Sequence, residues 1–346
     1  MMAVKKLSKN ELDSLIESLI SSQKSFGVQK KGDRFNFDLL ESASDLRLDY
    51  DVTLQSPKKY FLAPVETLLK FHTQKGYESN LDKEPFYLIG VHPYDIHAIS
   101  QMDEIFSQDN YDVHYMTKRK NATIIACDVA TPSKNVFAGT MATATAEEGY
   151  DVIITDIGDG YVIESATDKG EDVLAKIENA KDATEDDLGK REQIRSENRE
   201  NLTNHTLDCE PSYLPELLDR AYEHPIFEEK AKTCFGCGSC TQVCPTCYCF
   251  NVKDDINWDL ETGERKRYWD GCMLNGFTKV AGDHEFRKKL SDRFRHRIYR
   301  KGKYVPSKIG GRIACVGCGR CIDACLPQIA NPVEIYNVLV KDLGVK

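Results

Sequence analysis

Apolar positions recur at helical spacing in Glu11 to Leu19, where Leu12, Leu15, Ile16 and Leu19 share one face. Aliphatic-rich runs at Tyr87 to Val91, Ala122 to Val129, Asp151 to Thr155 and Tyr161 to Glu164 predict short strands. Pro93 follows the first run at a helix-start position, ahead of Ile96, Ile99 and Met102, which predicts a β-α-β unit. Gly158-Asp159-Gly160, between Ile157 and Tyr161, carries hairpin-turn chemistry, so part of the sheet is expected to be antiparallel. The pattern predicts an α+β chain that opens with an α/β domain over residues 1–168, a mixed sheet with helices packed on it.

From Lys169 to Glu200 the pattern changes: ten acids and seven bases occupy 32 residues, with few aliphatic positions. Residues 169–230 are therefore expected to be a charged helical linker, solvated, with a short helix near Leu217 to Tyr222 after Pro211 and Pro215. The whole chain has 346 residues and a net charge of -9, which argues against binding nucleic acid through overall charge. No run of 18 apolar residues is present to insert in a membrane, and no apolar segment follows the lysines of Met1 to Asn10 as in a secretory signal. The expected location is cytoplasmic.

The 13 cysteines change the picture most. None falls in the first 126 residues, and eleven lie between Cys234 and Cys325. Thiols stay reduced in the cytoplasm, so a cluster of this kind points to metal rather than disulfides. Cys234-x2-Cys237-x2-Cys240-x3-Cys244-Pro245 is the run that holds 4Fe-4S clusters in bacterial-type ferredoxins, and Cys315-x2-Cys318-x2-Cys321-x3-Cys325 repeats it 81 residues later. Three closely spaced thiolates reach three corners of one cubane, while the fourth is carried along the next helix to the neighbouring cluster. Cluster one is thus expected on Cys234, Cys237, Cys240 and Cys325, and cluster two on Cys315, Cys318, Cys321 and Cys244. Gly236, Gly238, Gly317 and Gly319 allow the backbone to wrap closely and aim amides at sulfides. Zinc sites use paired C-x2-C hairpins and have no use for the third evenly spaced cysteine. Residues 231–346 are read as a ferredoxin-like dicluster domain with an insertion at 251–312.

Cys247, Cys249 and Cys272 crowd the first run. In an extended segment the first two point to one side, as ligands of one centre must. Two readings stand here: a third iron-sulfur cluster whose fourth ligand is Cys209, a non-cysteine group or none, and small buried residues beside the other clusters. Cys127, at a strand end, reads as a core residue.

Several segments together resemble the iron-sulfur β subunits of soluble sulfhydrogenases and the A subunits of anaerobic sulfite reductases. They are Ser56-Pro57-Lys58 with Glu66, Gly90-Val91-His92-Pro93-Tyr94-Asp95, Cys244-Pro245-Thr246-Cys247-Tyr248-Cys249-Phe250, Trp269-Asp270-Gly271-Cys272 and Cys315-Val316-Gly317-Cys318-Gly319-Arg320-Cys321. The resemblance implies a subunit of an anaerobic oxidoreductase complex that relays electrons between a flavoprotein reductase subunit and a catalytic redox subunit, or ferredoxin. Many family members have cysteine where this chain has Tyr94, and Cys-Phe-Cys at Val136-Phe137-Ala138, so only Cys127 remains of a four-cysteine set. That departure implies a scaffold role for the N-terminal domain.

Lys279 to Arg312 carries 12 Lys and Arg against three acids, so the rest of the chain must carry -18. Phe286, Leu290, Phe294 and Ile298 predict one apolar stripe on a helix whose other faces present Arg287, Lys288, Lys289, Arg293, Arg295 and Arg297. These cations read either as a solvated helix that also offsets cluster charge or as a face expected to dock an acidic protein partner, while no aromatic stacking platform or RNA motif supports a nucleic-acid partner. There is no Gly-x-Gly-x-x-Gly after a strand, no Walker motif and no Cys-x-x-Cys-His. The reading is therefore a non-catalytic electron-transfer subunit. Its alternatives are a reductase acting through an open third cluster at Cys247, Cys249 and Cys272, and a scaffold whose clusters only hold the fold.

Overall fold

The computed structural model describes residues 3–177 and 180–344, so Met1, Met2, Val345, Lys346, and Glu178 and Asn179 of the charged segment, lie outside the described residues. The chain begins with β1 (Val4–Leu7), α1 (Lys9–Ser22), β2 (Lys24–Lys31), β3 (Arg34–Leu39), β4 (Val65–His72), β5 (Gly76–Ser79), β6 (Phe86–Val91), α2 (Pro93–Ser107), α3 (Val113–Asn121) and β7 (Ala122–Cys127). It continues through β8 (Val152–Asp156), β9 (Tyr161–Ser165), α4 (Asp168–Leu174), β10 (Lys181–Asp182), α5 (Glu185–Asn201), α6 (Leu214–Arg220), α7 (Ile226–Thr233) and α8 (Ser239–Gln242). Last come β11 (Phe250–Ile256), β12 (Thr262–Trp269), α9 (Leu290–Tyr299), α10 (Arg320–Asp323) and α11 (Pro332–Leu343).

The large sheet has the order β10-β1-β9-β8-β7-β6-β2-β3. Its centre is parallel (β2/β6, β6/β7, β7/β8) and its flanks antiparallel, the mixed sheet that the sequence predicts. Helices cover the central strands, so β6 and β7 are buried at every position. Local signals set the helix starts. Ser8 and Glu11 form a capping box on α1, and Pro93 occupies the first turn of α2, where a missing amide proton costs nothing.

Helix α5 is exposed or half-buried along most of its length, with Asp187, Arg195 and Asn198 buried. Arg195 is buried against the sheet, with Nε on Asp128 at 3.0 Å and Nη2 on Glu164 at 2.6 Å, while Asn198 Nδ2 donates to Val129 O at 3.1 Å. Ion pairs and hydrogen bonds take the place of an apolar stripe, which is why hydrophobic periodicity could not show the docking.

The insertion supplies β11 and β12, which pair antiparallel with β4 and β5 in a second sheet of order β11-β12-β4-β5. Arg267 on β12, 1% exposed, clamps this joint: its Nη2 lies 2.5 Å from Glu66 Oε2, and Nη1 pairs with Asp112. Lys118 closes the network on the other oxygen of Glu66. Around the C-terminal cysteines, α6, α7, α9 and α11 share an apolar core that includes Leu218, Phe227, Phe294, Ile298 and Tyr336.

Candidate functional site

The two cysteine runs adopt the same local backbone. In the first, Gly236 (φ 62°) and Gly238 (φ 76°) lead into α8; in the second, Gly317 (φ 64°) and Gly319 (φ 76°) lead into α10. Left-handed φ favours glycine, and in the second run space requires it as well. A Cβ on Gly317 would lie 2.5 Å from the Phe137 backbone, and one on Gly319 would lie 2.4 Å from Asn135 O. The N-terminal domain thus packs directly over the second loop, where Phe137 N–H donates to Gly317 O at 2.7 Å.

Cys325 lies close enough to act on thiols of the first run, and Cys244 on those of the second. Burial raises the pKa of Cys234 and Cys240, and the neighbouring Cys325 raises both further. Burial likewise raises Cys315, Cys321 and Cys318, the last to about 12, with Cys244 adding to each. Cys244 also acts on Cys240, so the two sets adjoin. Cys237 alone is exposed, its pKa lowered first by the Ser239 hydroxyl at 3.3 Å.

Cys247, Cys249 and Cys272 line one narrow cavity with Arg297, Arg300 and Lys301. Burial and then Cys249 raise Cys272 to about 11, and a thiol–thiol hydrogen bond lowers Cys244 while raising Cys247. The Tyr248 ring lies edge-on to Phe106, with the Arg300 guanidinium over it at 4.8 Å. Cys209 stands apart among core residues, and the charges acting on it are Asp208 and Glu210. Among the described residues no three His, Cys, Asp or Glu converge tightly enough for one metal ion. Thiolates at the corners of a cubane stand further apart than thiolates sharing one zinc at about 2.3 Å.

Buried cations complete the fit to anionic clusters. Lys58 Nζ donates to the carbonyls of Gln242, Cys244 and Cys247 at 3.5, 3.0 and 2.8 Å and lies 4.1 Å from the Trp269 ring centroid. Burial lowers its pKa to about 8, against the pull of Cys247 and Cys244. Lys301 Nζ donates to Thr246 Oγ1 at 2.6 Å, and its pKa is raised by Cys244, Cys247 and Cys315 in spite of desolvation. Arg320, inside the second run, forms a two-pronged pair with buried Asp95 at 2.7 and 2.6 Å. A thiol-rich donor set beside buried Lys58 and Lys301, which pair with no carboxylate among the described residues, suits negatively charged iron-sulfur clusters.

The predicted docking helix needs correction. Helix α9 starts at Leu290, so Phe286 precedes it and is 66% exposed, its amide bonded to Thr278 O. Arg297 is 5% exposed among the thiols, and Arg295 is held by Asp292 and stacked on Tyr222. Arg297 follows Phe294 by three residues and precedes Ile298, which puts it on the face that packs inward. Lys288 and Lys289 remain exposed. Lys58 and Asp95 lay within segments noted only for their resemblance; a charged residue in a buried apolar context was the available signal. Tyr94, Val136 and Ala138 pack in one core with Cys318, and Cys127 is buried at the end of β7, as expected for a core residue.

Residues 233–329 match a family model described as a 4Fe-4S dicluster domain, an interval containing both cysteine runs. Over 317 residues the chain is 32% identical to sulfhydrogenase 2 subunit beta of Pyrococcus furiosus, covering 92% of this chain and 91% of that protein. The dicluster match implies two 4Fe-4S clusters. Among the described residues no helix is long and apolar enough to cross a membrane.

Proposed function

The chain belongs to the sulfhydrogenase β-subunit family, and on that premise we propose that it relays single electrons between a flavin-containing reductase subunit and a catalytic subunit of hydrogenase or sulfite-reductase type, or ferredoxin. The observation that carries this reading is the pair of adjoining thiol sets, one opening to solvent at Cys237 and one covered by the N-terminal domain. The clusters supply reversible one-electron chemistry. The chain's own residues insulate them, compensate their charge and expose one edge. Anaerobic reconstitution with a flavoprotein and following reduction of the chain by stopped-flow absorbance tests the relay. A chain that holds its clusters yet is never reduced by any flavoprotein or ferredoxin donor contradicts it.

The partner-facing surface in this proposal is the rim of the first loop. Phe235 and Leu326, each adjacent in sequence to a cluster-one cysteine, are 67% and 83% exposed. A Cβ on Gly236 would lie 3.4 Å from Leu290, which brings the preceding Lys288 and Lys289 to the same rim. Charge steering acts on association rate and is screened within about 8 Å at physiological ionic strength. Inter-protein electron transfer is therefore expected to slow as salt rises, and Lys288→Glu with Lys289→Glu to flatten that dependence with iron content intact. Rates indifferent to both changes place docking elsewhere.

Cys247, Cys249 and Cys272 are proposed to hold a third iron-sulfur cluster, supported by their shared cavity and its three cations. Iron is then expected near twelve per chain rather than about eight, falling to about eight in the triple Ala variant. An unchanged EPR spectrum in that variant, at eight irons before and after, makes these residues packing. Assaying substrate turnover by the isolated chain in the same triple variant separates the relay from a reductase acting at this site, since only the latter has turnover to lose.

A further inference from the structure

Among the cations near the thiols, Arg297 differs in what its N–H groups do. Lys58 donates to three carbonyls, Lys301 to Thr246 and the Cys244 thiol, and Arg320 to Asp95 and Thr53, so each of these has its donors engaged. Arg297 Nη2 donates to Ala330 O at 2.9 Å, a carbonyl that also accepts from Cys321 Sγ at 3.8 Å, whereas Nη1 is buried with no partner among the described residues. No carboxylate pairs with it among the described residues. Its neighbours are thiols from every set: Cys240 of the first, Cys321 and Cys244 of the second, Cys247 of the third, and it lines the cavity shared by Cys247, Cys249 and Cys272. Helix α9 fixes it there, because Phe294 and Ile298 on either side are locked in the core.

Burying a guanidinium without a counter-charge is strongly unfavourable, and neutral thiols do not offset it. Cluster-bound thiolates do, because a cluster with four of them is a net anion and gains one more negative charge on reduction. A fixed cation at that place favours the reduced form. Arg297 lines the cavity of Cys247, Cys249 and Cys272 with Nη1 unpartnered among the described residues, and hydrogen bonds to cluster sulfurs are among the things that set cluster potentials.

We propose that Arg297 is the shared counter-charge of the iron-sulfur sets, holding the potentials of both ferredoxin-type clusters up together so that an electron crosses between them without a large step. The inference rests on the cluster assignment above. It makes Arg297 a positioning and tuning residue rather than a partner-binding one.

The test is an EPR-monitored redox titration of the full chain at fixed pH, with iron and sulfide counted on the same samples. Arg297→Gln is expected to keep its iron and to lower both potentials by at least a tenfold change in the reduced-to-oxidised ratio, about 59 mV for one electron. Arg297→Lys, which keeps the charge, is expected to recover most of that shift, and Arg34→Gln at the exposed β2–β3 turn to change neither potential. Unchanged potentials in an iron-replete Arg297→Gln protein overturn the proposal, as does movement of one cluster alone. If Arg297→Gln loses iron, Arg297→Lys decides: retained iron at wild-type potentials supports the charge role, and lost iron leaves only the shape of the guanidinium and overturns it. Fewer than about eight irons in the unaltered protein would instead overturn the cluster assignment.

Discussion

Replacing Asp95 by Ala is expected to destabilise the chain by about 3–5 kcal/mol, because it strands a buried guanidinium. Asp95 is 0% and Arg320 2% exposed, and the two are joined by parallel hydrogen bonds of 2.7 and 2.6 Å. Arg320 also donates to Thr53 O at 2.9 Å and Thr53 Oγ1 at 2.8 Å, so one side chain inside the second cysteine run is held entirely by the N-terminal domain. Thermal unfolding of the iron-loaded protein should show a fall in Tm on the order of 10 °C. The second cluster should be lost before the first as temperature rises, since the pair anchors α10. Asp95→Asn keeps the shape but removes the charge, and should fall between the two. A Tm within a degree or two of wild type in Asp95→Ala would mean that water or another group replaces the carboxylate.

Cys325→Ala is expected to abolish cluster one, on Cys234, Cys237 and Cys240, although Cys325 belongs to the second run. Iron attributable to the two ferredoxin-type sets should drop from about eight to about four, and electron transfer to a partner should fall to background. Cys244→Ala should do the converse, removing the set of Cys315, Cys318 and Cys321 while sparing the first. The exchange is expected because α8 and α10, which carry the third cysteine of each run and end two residues before the fourth, pack against each other. Loss of the Cys315 set in Cys325→Ala, with the Cys234 set intact, would mean that each run closes on itself. Both variants must be compared at equal protein concentration and under strict anaerobiosis, because a damaged cluster is readily lost to oxygen.

The strands at Tyr87 to Val91, Ala122 to Val129, Asp151 to Thr155 and Tyr161 to Glu164 were legible because each is a continuous aliphatic run with turn residues at its ends, and all four fall in the large sheet. The hairpin of β11 and β12 was not, since its exposed positions alternate with charges, and its partner β4 lies about 200 residues away in the chain. The cysteine runs were legible to the residue, down to the left-handed glycines. The charged residues were where reading failed. Arg297 looked like surface because helical periodicity ranks residues by polarity, whereas the position of the core decides which face turns inward.

Covalent spacing determined what lies within a few residues: the loops, the capped helix starts, the two repeats of cluster ligands and the chemistry they imply. Their assembly was decided by contacts that spacing cannot reach. Lys58 meets the Cys244 carbonyl across 186 residues, and Asp95 meets Arg320 across 225. A charge is worth little in water and a great deal when desolvated beside an opposite one. Burial is a property of the whole packed chain, so only the tertiary structure decided which cations stand in solvent and which stand among the thiols.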